Sequence, residues 1–217
     1  MNVRKIVNMF DTIIPQDDGQ FKIGHVLSAY HKKKNVRFIE VGANDGIKDD
    51  PIYKWATMHD WEGILIEPVK SAFKLLCKNY SNFSKMTPIN VAVSTEVGTV
   101  TMFVNKNKTG VASLYKKHPP NGGSKKVTVS CVTLDKVIMD NNFENFDLLQ
   151  IDAEGHDFEV LKSINLSKYT PDIIHYEHRH LSSEDLKDCD DYLREFGYII
   201  LKNRNNTIGV LNYDKGA

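Results

Sequence analysis

The chain has 217 residues, and its 28 Lys plus Arg balance 28 Asp plus Glu, so the formal net charge is zero. With 41% apolar and 26% charged residues it is neither a disordered tail nor a fibrous repeat. The balance also argues against a dedicated nucleic-acid binder, whose footprint is a basic excess.

At roughly 100–200 residues per domain, the length suits one domain with a small appendage. Cys77, Cys131 and Cys189 lie far apart with no CxxC pair. That pattern fits a reducing compartment better than a disulfide framework or a zinc site. The opening stretch MNVRKIVNMFDTIIPQDDG is broken by charge before a signal core could form. No apolar run approaches the ~20 residues a bilayer needs. The expectation is a soluble, cytoplasmic chain without a membrane span.

Residues 1–35 read as a helical N-terminal extension, with Ile6, Met9, Phe10 and Ile13, then Val26, Leu27 and Tyr30, as its apolar positions. Residues 36–217 form the main domain. Its apolar runs are VRFIEV (36–41), GILIE (63–67), PINVAV (88–93), DLLQID (147–152), DIIHYEH (172–178), YIILKN (198–203) and TIGVLN (207–212). Amphipathic segments lie between them: PIYKWATMHDW, VKSAFKLLCKNY, TLDKVIMDNN, HDFEVLKSI and SEDLKDCDDYLREFG. Short strands alternating with helices predict a parallel α/β sheet covered on both faces. The last two runs are too close for a helical crossover, so they must pair antiparallel. VTMFV (100–104) and KVTVSCV (126–132) predict a small inserted hairpin. The expected architecture is a seven-stranded, mostly parallel sheet with one antiparallel strand. Ligands of such sheets bind beyond the carboxyl ends of the strands.

The first run exits through Glu40-Val41-Gly42-Ala43-Asn44-Asp45-Gly46. Glycines here allow a tight turn and close backbone approach to a ligand. Asn44 stands where the dinucleotide fingerprint has its middle glycine. Glu40 would repel a pyrophosphate and attract a ligand bearing ammonium and sulfonium charge. The second run ends in Glu67-Pro68, and a carboxylate there can accept hydrogen bonds from a ribose diol.

The ordered motifs E-V-G-A-N-D-G, L-I-E-P, N-V-A-V-S, G-V-A-S-L, V-T-L-D and L-L-Q-I-D-A-E-G-H-D-x-E-V-L resemble the FkbM family of S-adenosylmethionine-dependent methyltransferases. The resemblance covers roughly residues 36–178. It implies a class I, Rossmann-like methyltransferase fold, S-adenosyl-L-methionine as cofactor, and O-methylation of a sugar, polyketide or similar hydroxyl. By position, Glu40, Gly42, Asn44 and Gly46 would line the methionine end. Glu67 would bind the ribose, Asn90, Val91 and Ala92 would border the adenine, and Asp152 would stand near the methyl, with Asp45 and Pro68 completing the expected cofactor-binding set.

The runs ending at 152 and 178 gather further candidates, because O-methylation needs a base or a metal to activate the hydroxyl. Asp152, Glu154, His156, Glu177 and His178 are the catalytic candidates. Asp157 and Glu159 fall in a helix's first turn and are assigned to structure. His175 is assigned to strand packing. Asp152, Glu154 and Glu177 offer oxygens that suit Mg²⁺, yet no dedicated ligand spacing appears and no metal is expected. Residues 105–126 carry six lysines and no acid. Most of these lysines read as a solvated loop. The loop could also act as a lid that attracts an anionic acceptor such as a nucleotide-linked sugar. Gly110 and Ser113 in it are expected to face the substrate. The expected partner is a small-molecule acceptor, with no nucleic acid. N-methylation, an NAD(P) oxidoreductase and a catalytically silent cofactor-binding module remain the alternatives. The zero net charge hides an asymmetry: residues 131–191 hold fifteen Asp plus Glu against five Lys plus Arg.

Overall fold

The apolar runs assemble into one central sheet, seen in a computed structural model that describes residues 23–30, 33, 35–105, 112–113 and 124–212. Strands β1 (Arg37–Val41), β2 (Glu62–Ile66) and β3 (Met86–Ile89) continue on one side. Strands β8 (Leu148–Ile151), β9 (Ile173–Glu177), β10 (Tyr198–Lys202) and β11 (Asn206–Leu211) build the other. The order is β10-β11-β9-β8-β1-β2-β3. Neighbours from β9 to β3 pair parallel, while β11 runs antiparallel to both β9 and β10. The seven-stranded, mostly parallel sheet with one antiparallel strand is therefore the observed architecture.

Two details differ from the expectation. The run 88–93 is not one strand: β3 stops at Ile89, and β4 (Ala92–Val93) leaves for a second sheet. Asn90 makes the break, because its Nδ2 donates to the carbonyls of Glu67 (2.7 Å) and Pro68 (3.0 Å). Pro88 is tolerated in β3 because that strand is at the sheet edge. The inserted hairpin is also larger than expected. β5 (Gly98–Asn105) and β7 (Ser124–Val132) pair antiparallel, flanked by β4 and by β6 (Ala112–Ser113), in the order β4-β7-β5-β6. β4 enters this sheet by pairing parallel to β7 after the Asn90 break. Most of the lysine-rich loop, Gly110 included, lies outside the described residues, as do Ile6, Met9, Phe10 and Ile13. Ser113 pairs with Phe103 of β5.

Helices cover both faces. On one, α4 (Leu134–Asp140), α5 (Asp157–Lys162) and α6 (Ser183–Glu195) pack Leu134, Val137, Val160, Leu161 and Leu193 against Ile39, Val41, Leu149, Ile151 and Ile174. Local chemistry starts two of these helices: Thr133 Oγ1 accepts from Lys136 N (3.2 Å), and Ser182 Oγ from Asp185 N (3.0 Å). On the other face, α1 (Ile23–Tyr30), α2 (Tyr53–Met58) and α3 (Lys70–Asn79) pack on Phe38, Leu65, Leu148 and Ile173.

The helix α1 belongs to this second core, with Val26, Leu27 and Tyr30 buried in it. The segment after it is fastened at the amino ends of the strands. Tyr30 donates its hydroxyl to Asp172, and Lys33 Nζ reaches Asp147 (2.5 Å) and Asp172 (3.0 Å). Among the described residues no helix is long and apolar enough to cross a membrane.

Leu27 is fully enclosed, so Leu27→Ala should cost about 2–5 kcal/mol through lost burial and a residual cavity. The check is urea unfolding, with the midpoint lowered at an unchanged slope. A loss below about 0.5 kcal/mol, the size of an ordinary surface change, would mean that α1 is not part of the core.

Candidate active site

Strands β1, β8 and β9 pair in register, so Phe38, Leu148 and Ile173 form one cross-strand row and Glu40, Gln150 and His175 the next. Side chains alternate with period two. Residues 38, 40 and 42, 148, 150 and 152, and 173, 175 and 177 therefore share a face. That face turns from apolar to polar toward the carboxyl ends. The opposite face carries Ile39, Val41, Leu149, Ile151, Ile174 and Tyr176, all buried.

The strand exits are tightly coupled. Asp152 N donates to Val41 O (2.9 Å), and Gly42 N to Ile66 O (2.9 Å). Gly42 has φ +87°, and a Cβ there would lie 1.9 Å from the Asp152 carbonyl oxygen. Only glycine lets the β1 and β8 exits approach this closely. Gly46, at φ +72°, would drive a Cβ into Tyr80 (2.4 Å) and Leu76 (2.5 Å).

Glu67 ties this loop to the next helix. Its Oε2 accepts from Asn44 N (2.9 Å) and its Oε1 from Val69 N (2.6 Å). Burial nevertheless pushes its carboxyl up to about 7, against those two bonds and helped by the charge of Asp152. The Asn90 bonds hold Glu67, Pro68 and the Asn90–Val91–Ala92 corner together. Asp45 is engaged within its own loop, accepting from Ile47 N (3.0 Å) and Lys48 N (2.9 Å). The positions expected to hold the cofactor thus form a continuous rim over β1, β2 and β3.

The acidic candidates meet beside that rim. Asp152 is open to solvent on one side, yet the surrounding protein and then the charge of Glu177 push its carboxyl up to about 6. Glu154 is pushed up to about 7 by burial and by Asp152, with Arg179 opposing. Glu177 is raised by burial and by Glu154, again against Arg179. Asp157 is enclosed and pushed up to about 8, chiefly by burial. It accepts from Ala153 N (3.3 Å) and Gly155 N (3.2 Å), closing the turn, which is a structural task.

The histidines divide differently from the sequence expectation. The His156 Nε2 lies 2.9 Å from Ser94 Oγ, toward the second sheet, and burial lowers the affinity of its imidazole for a proton. His178 turns to the other side of β9, its Nδ1 2.8 Å from Thr207 Oγ1. The imidazole that joins the carboxylates is His180, with Nε2 3.5 Å from Glu154 and 3.6 Å from Glu177. The ligand atoms of these three residues lie within 4.8 Å of one another, so His180 stands with the two glutamates as the set able to hold a divalent ion. The only hint of it in the sequence is the H-R-H string at 178–180. Parity places 177, and the turn closed by Leu181 N on His178 O (3.1 Å) then governs. Gly155 leaves room, since a Cβ there would come within 3.2 Å of His180 Cβ. His175 is buried and held neutral, its Nδ1 2.5 Å from Gln150 Oε1. Asp50, which sequence reasoning passed over, meets Glu40 beneath the glycine loop.

A family model described as the methyltransferase FkbM domain matches residues 40–200. A search of curated proteins returns no match. Among solved structures the chain is similar to the methyltransferase FkbM from Methylobacillus flagellatus, at 15% identity and TM-score 0.56, over 81% of this chain and 43% of that one. It is similar to the METTL16 methyltransferase domain at 15% identity and TM-score 0.53, over 88% of this chain and 65% of that one. A precorrin-6y C5,15-methyltransferase from Geobacter metallireducens gives 7% identity and TM-score 0.51, over 93% and 96%. At these identities the structures show the fold, which is the class I methyltransferase fold. The chain spans less than half of the first of these structures and less than two thirds of the second. The family match extends over most of its length, and the chain belongs to the FkbM methyltransferase domain family.

Proposed function

We propose that the chain binds S-adenosyl-L-methionine along the rim over β1–β3 and transfers a methyl group to a hydroxyl of a small acceptor, a sugar or glycoconjugate precursor. The observation that carries this reading is the convergence of Asp152, Glu154 and Glu177 at the exits of β8 and β9, beside the glycine loop. Bound there, the cofactor supplies a methyl group on a cationic sulfonium. The donor set fits such a group: a lining of carboxylates attracts positive charge, and Glu67 keeps lone pairs for two ribose hydroxyls beside its two backbone bonds.

Glu154 is the proton acceptor in this reading. Its carboxyl, pushed up to about 7, is matched to a base working near neutrality. His180 and Arg179 steady the charge around it. Asp152 and Glu177 orient the acceptor, and His156 supports the site through Ser94. An anionic acceptor, such as a nucleotide-linked sugar, would be attracted by the lysines of the 105–126 stretch, of which Lys125 and Lys126 are exposed on β7.

Three outcomes are expected. Glu67→Ala should weaken S-adenosylhomocysteine binding about ten- to a hundredfold by calorimetry, the scale of lost hydrogen bonds to a charged group. Unchanged affinity would remove Glu67 from the ribose site.

Glu154→Gln should lower kcat by about 10²–10⁴-fold with little change in cofactor affinity. A variant with unchanged kcat would return the base role to another residue.

The third outcome concerns pH. Glu67, Asp152, Glu154 and Asp157 all bind a proton more tightly folded than unfolded, with pKa values of about 7, 6, 7 and 8. Their contribution is complete below the ordinary carboxylate range and is lost as pH rises through 6 to 8. The cofactor-free chain should therefore melt lower at about pH 8 than at about pH 6. A melting temperature that rises over that interval would contradict the buried charge.

A further inference from the structure

Six enclosed side-chain polar atoms among the described residues lack a hydrogen-bond partner, and three of them belong to one place: Glu40 Oε2, Asp50 Oδ2 and the Tyr80 hydroxyl. Glu40 and Tyr80 are 4% and 3% exposed. The site lies under the glycine loop, between the end of β1, the turn before α2 and the end of α3.

Two buried carboxyls that meet without a donor between them cannot both be ionised. The two are not equivalent. Asp50 Oδ1 accepts from Ile52 N (2.6 Å) and Tyr53 N (3.0 Å) at the start of α2, bonds that favour its ionised form. Among the described residues no donor reaches Glu40 Oε2, and Glu40 is therefore the partner that carries the proton and donates it to Asp50. Tyr80 faces the pair from the end of α3, and Tyr53 of α2 packs edge-on to Tyr80. The charges acting on the pair from elsewhere are further carboxylates, Asp45 in the glycine loop and Asp152 beyond β8. Among the described residues no cation offsets them.

We propose that Glu40 and Asp50 share one proton in the cofactor-free chain, and that Asp50 is a positioning residue that sets the charge of Glu40 and couples cofactor binding to proton release. The coupling rests on the proposed cofactor site; the shared proton does not. When the methionine ammonium enters the loop, its positive charge replaces that of the proton. The O–H bond of Glu40 then breaks, and the proton leaves to the buffer. The acid that turns the chain into α2 is thus also the partner of the acid that faces the ligand.

Two variants separate the parts. Asp50→Asn keeps an acceptor for the α2 start and donates an amide N–H to Glu40, which is then ionised. Glu40→Gln mimics the protonated acid and donates to Asp50. Infrared spectra of the cofactor-free chain near neutral pH should show one protonated carboxyl fewer in each variant than in the native chain, the bands of Asp157 and of the partly protonated Glu67 and Glu154 being common to all three. An unchanged carboxyl band in Asp50→Asn overturns the shared proton. Calorimetry in two buffers of different ionisation enthalpy then counts protons. The native chain should release up to about one more proton with S-adenosylhomocysteine than with methylthioadenosine, which lacks the amino-acid end. Both variants should lose that difference. The same difference in native chain and variants overturns the coupling. Absence of any binding by the native chain overturns the cofactor site instead and leaves the infrared result to decide the pair.

Discussion

The register between β1, β8 and β9 is the constraint on which the site depends. A one-residue slip in a strand exchanges its two faces. In β1 that would bury Glu40 among Leu134, Val137 and Leu161 and turn Ile39 and Val41 toward the cleft. The apolar rows at 38–148–173 and 39–149–174 fix the register on both faces at once. The polar residues at the carboxyl ends are carried along by pairing they do not stabilise.

Holding so many carboxylates together costs stability, and the structure shows where that cost is met. Asp157 and Glu67 each receive two backbone N–H groups. Asp50 receives two more. Arg179 and His180 serve Glu154 and Glu177. Asp152 and Glu40 are the least compensated, and they flank the loop where a cationic ligand would sit. A fold strained by like charge at one place is stabilised most by the ligand that neutralises it there. Affinity and cofactor-free stability are thus opposed at the same residues.

The sheet was legible in the sequence because its signals are local. Apolar runs, helical spacing and exit glycines each lie within a few residues, and the sequence is consistent across them. What escaped depends on partners far along the chain. PINVAV looks continuous until Asn90 bonds to carbonyls more than twenty residues away. Parity identified Glu177 within β9 but ended with the strand, so the turn selected His180 over His178. Asp157 was recognised as a helix-start acid, but its complete burial follows from packing. Asp50 resembles any acid before a helix, and only the fold of the 42–50 segment back onto the end of β1 sets it against Glu40. The net charge of zero says nothing of where the site lies, because the acidic stretch 131–191 is cancelled elsewhere in the chain.

The second sheet joins this arrangement at its β4 edge, where Val93 is buried in the main core and Val132 of β7 packs against it. β4 follows the Asn90 corner and pairs with β7, and Ser94 just beyond it meets His156 at the exit of β8. The insertion is therefore fixed at the Asn90 corner and at the acidic turn, the two ends of the ligand path proposed above. Asn90 and Ser94 both lie at the start of the insertion, and the pairing of β4 with β7 ties its return strand to the same point, so its base is held beside the acidic turn. In the reading proposed above, acceptor choice would then depend on what the insertion carries beyond those anchors, in β5 to β7, and the carboxylates beneath would serve whichever acceptor binds.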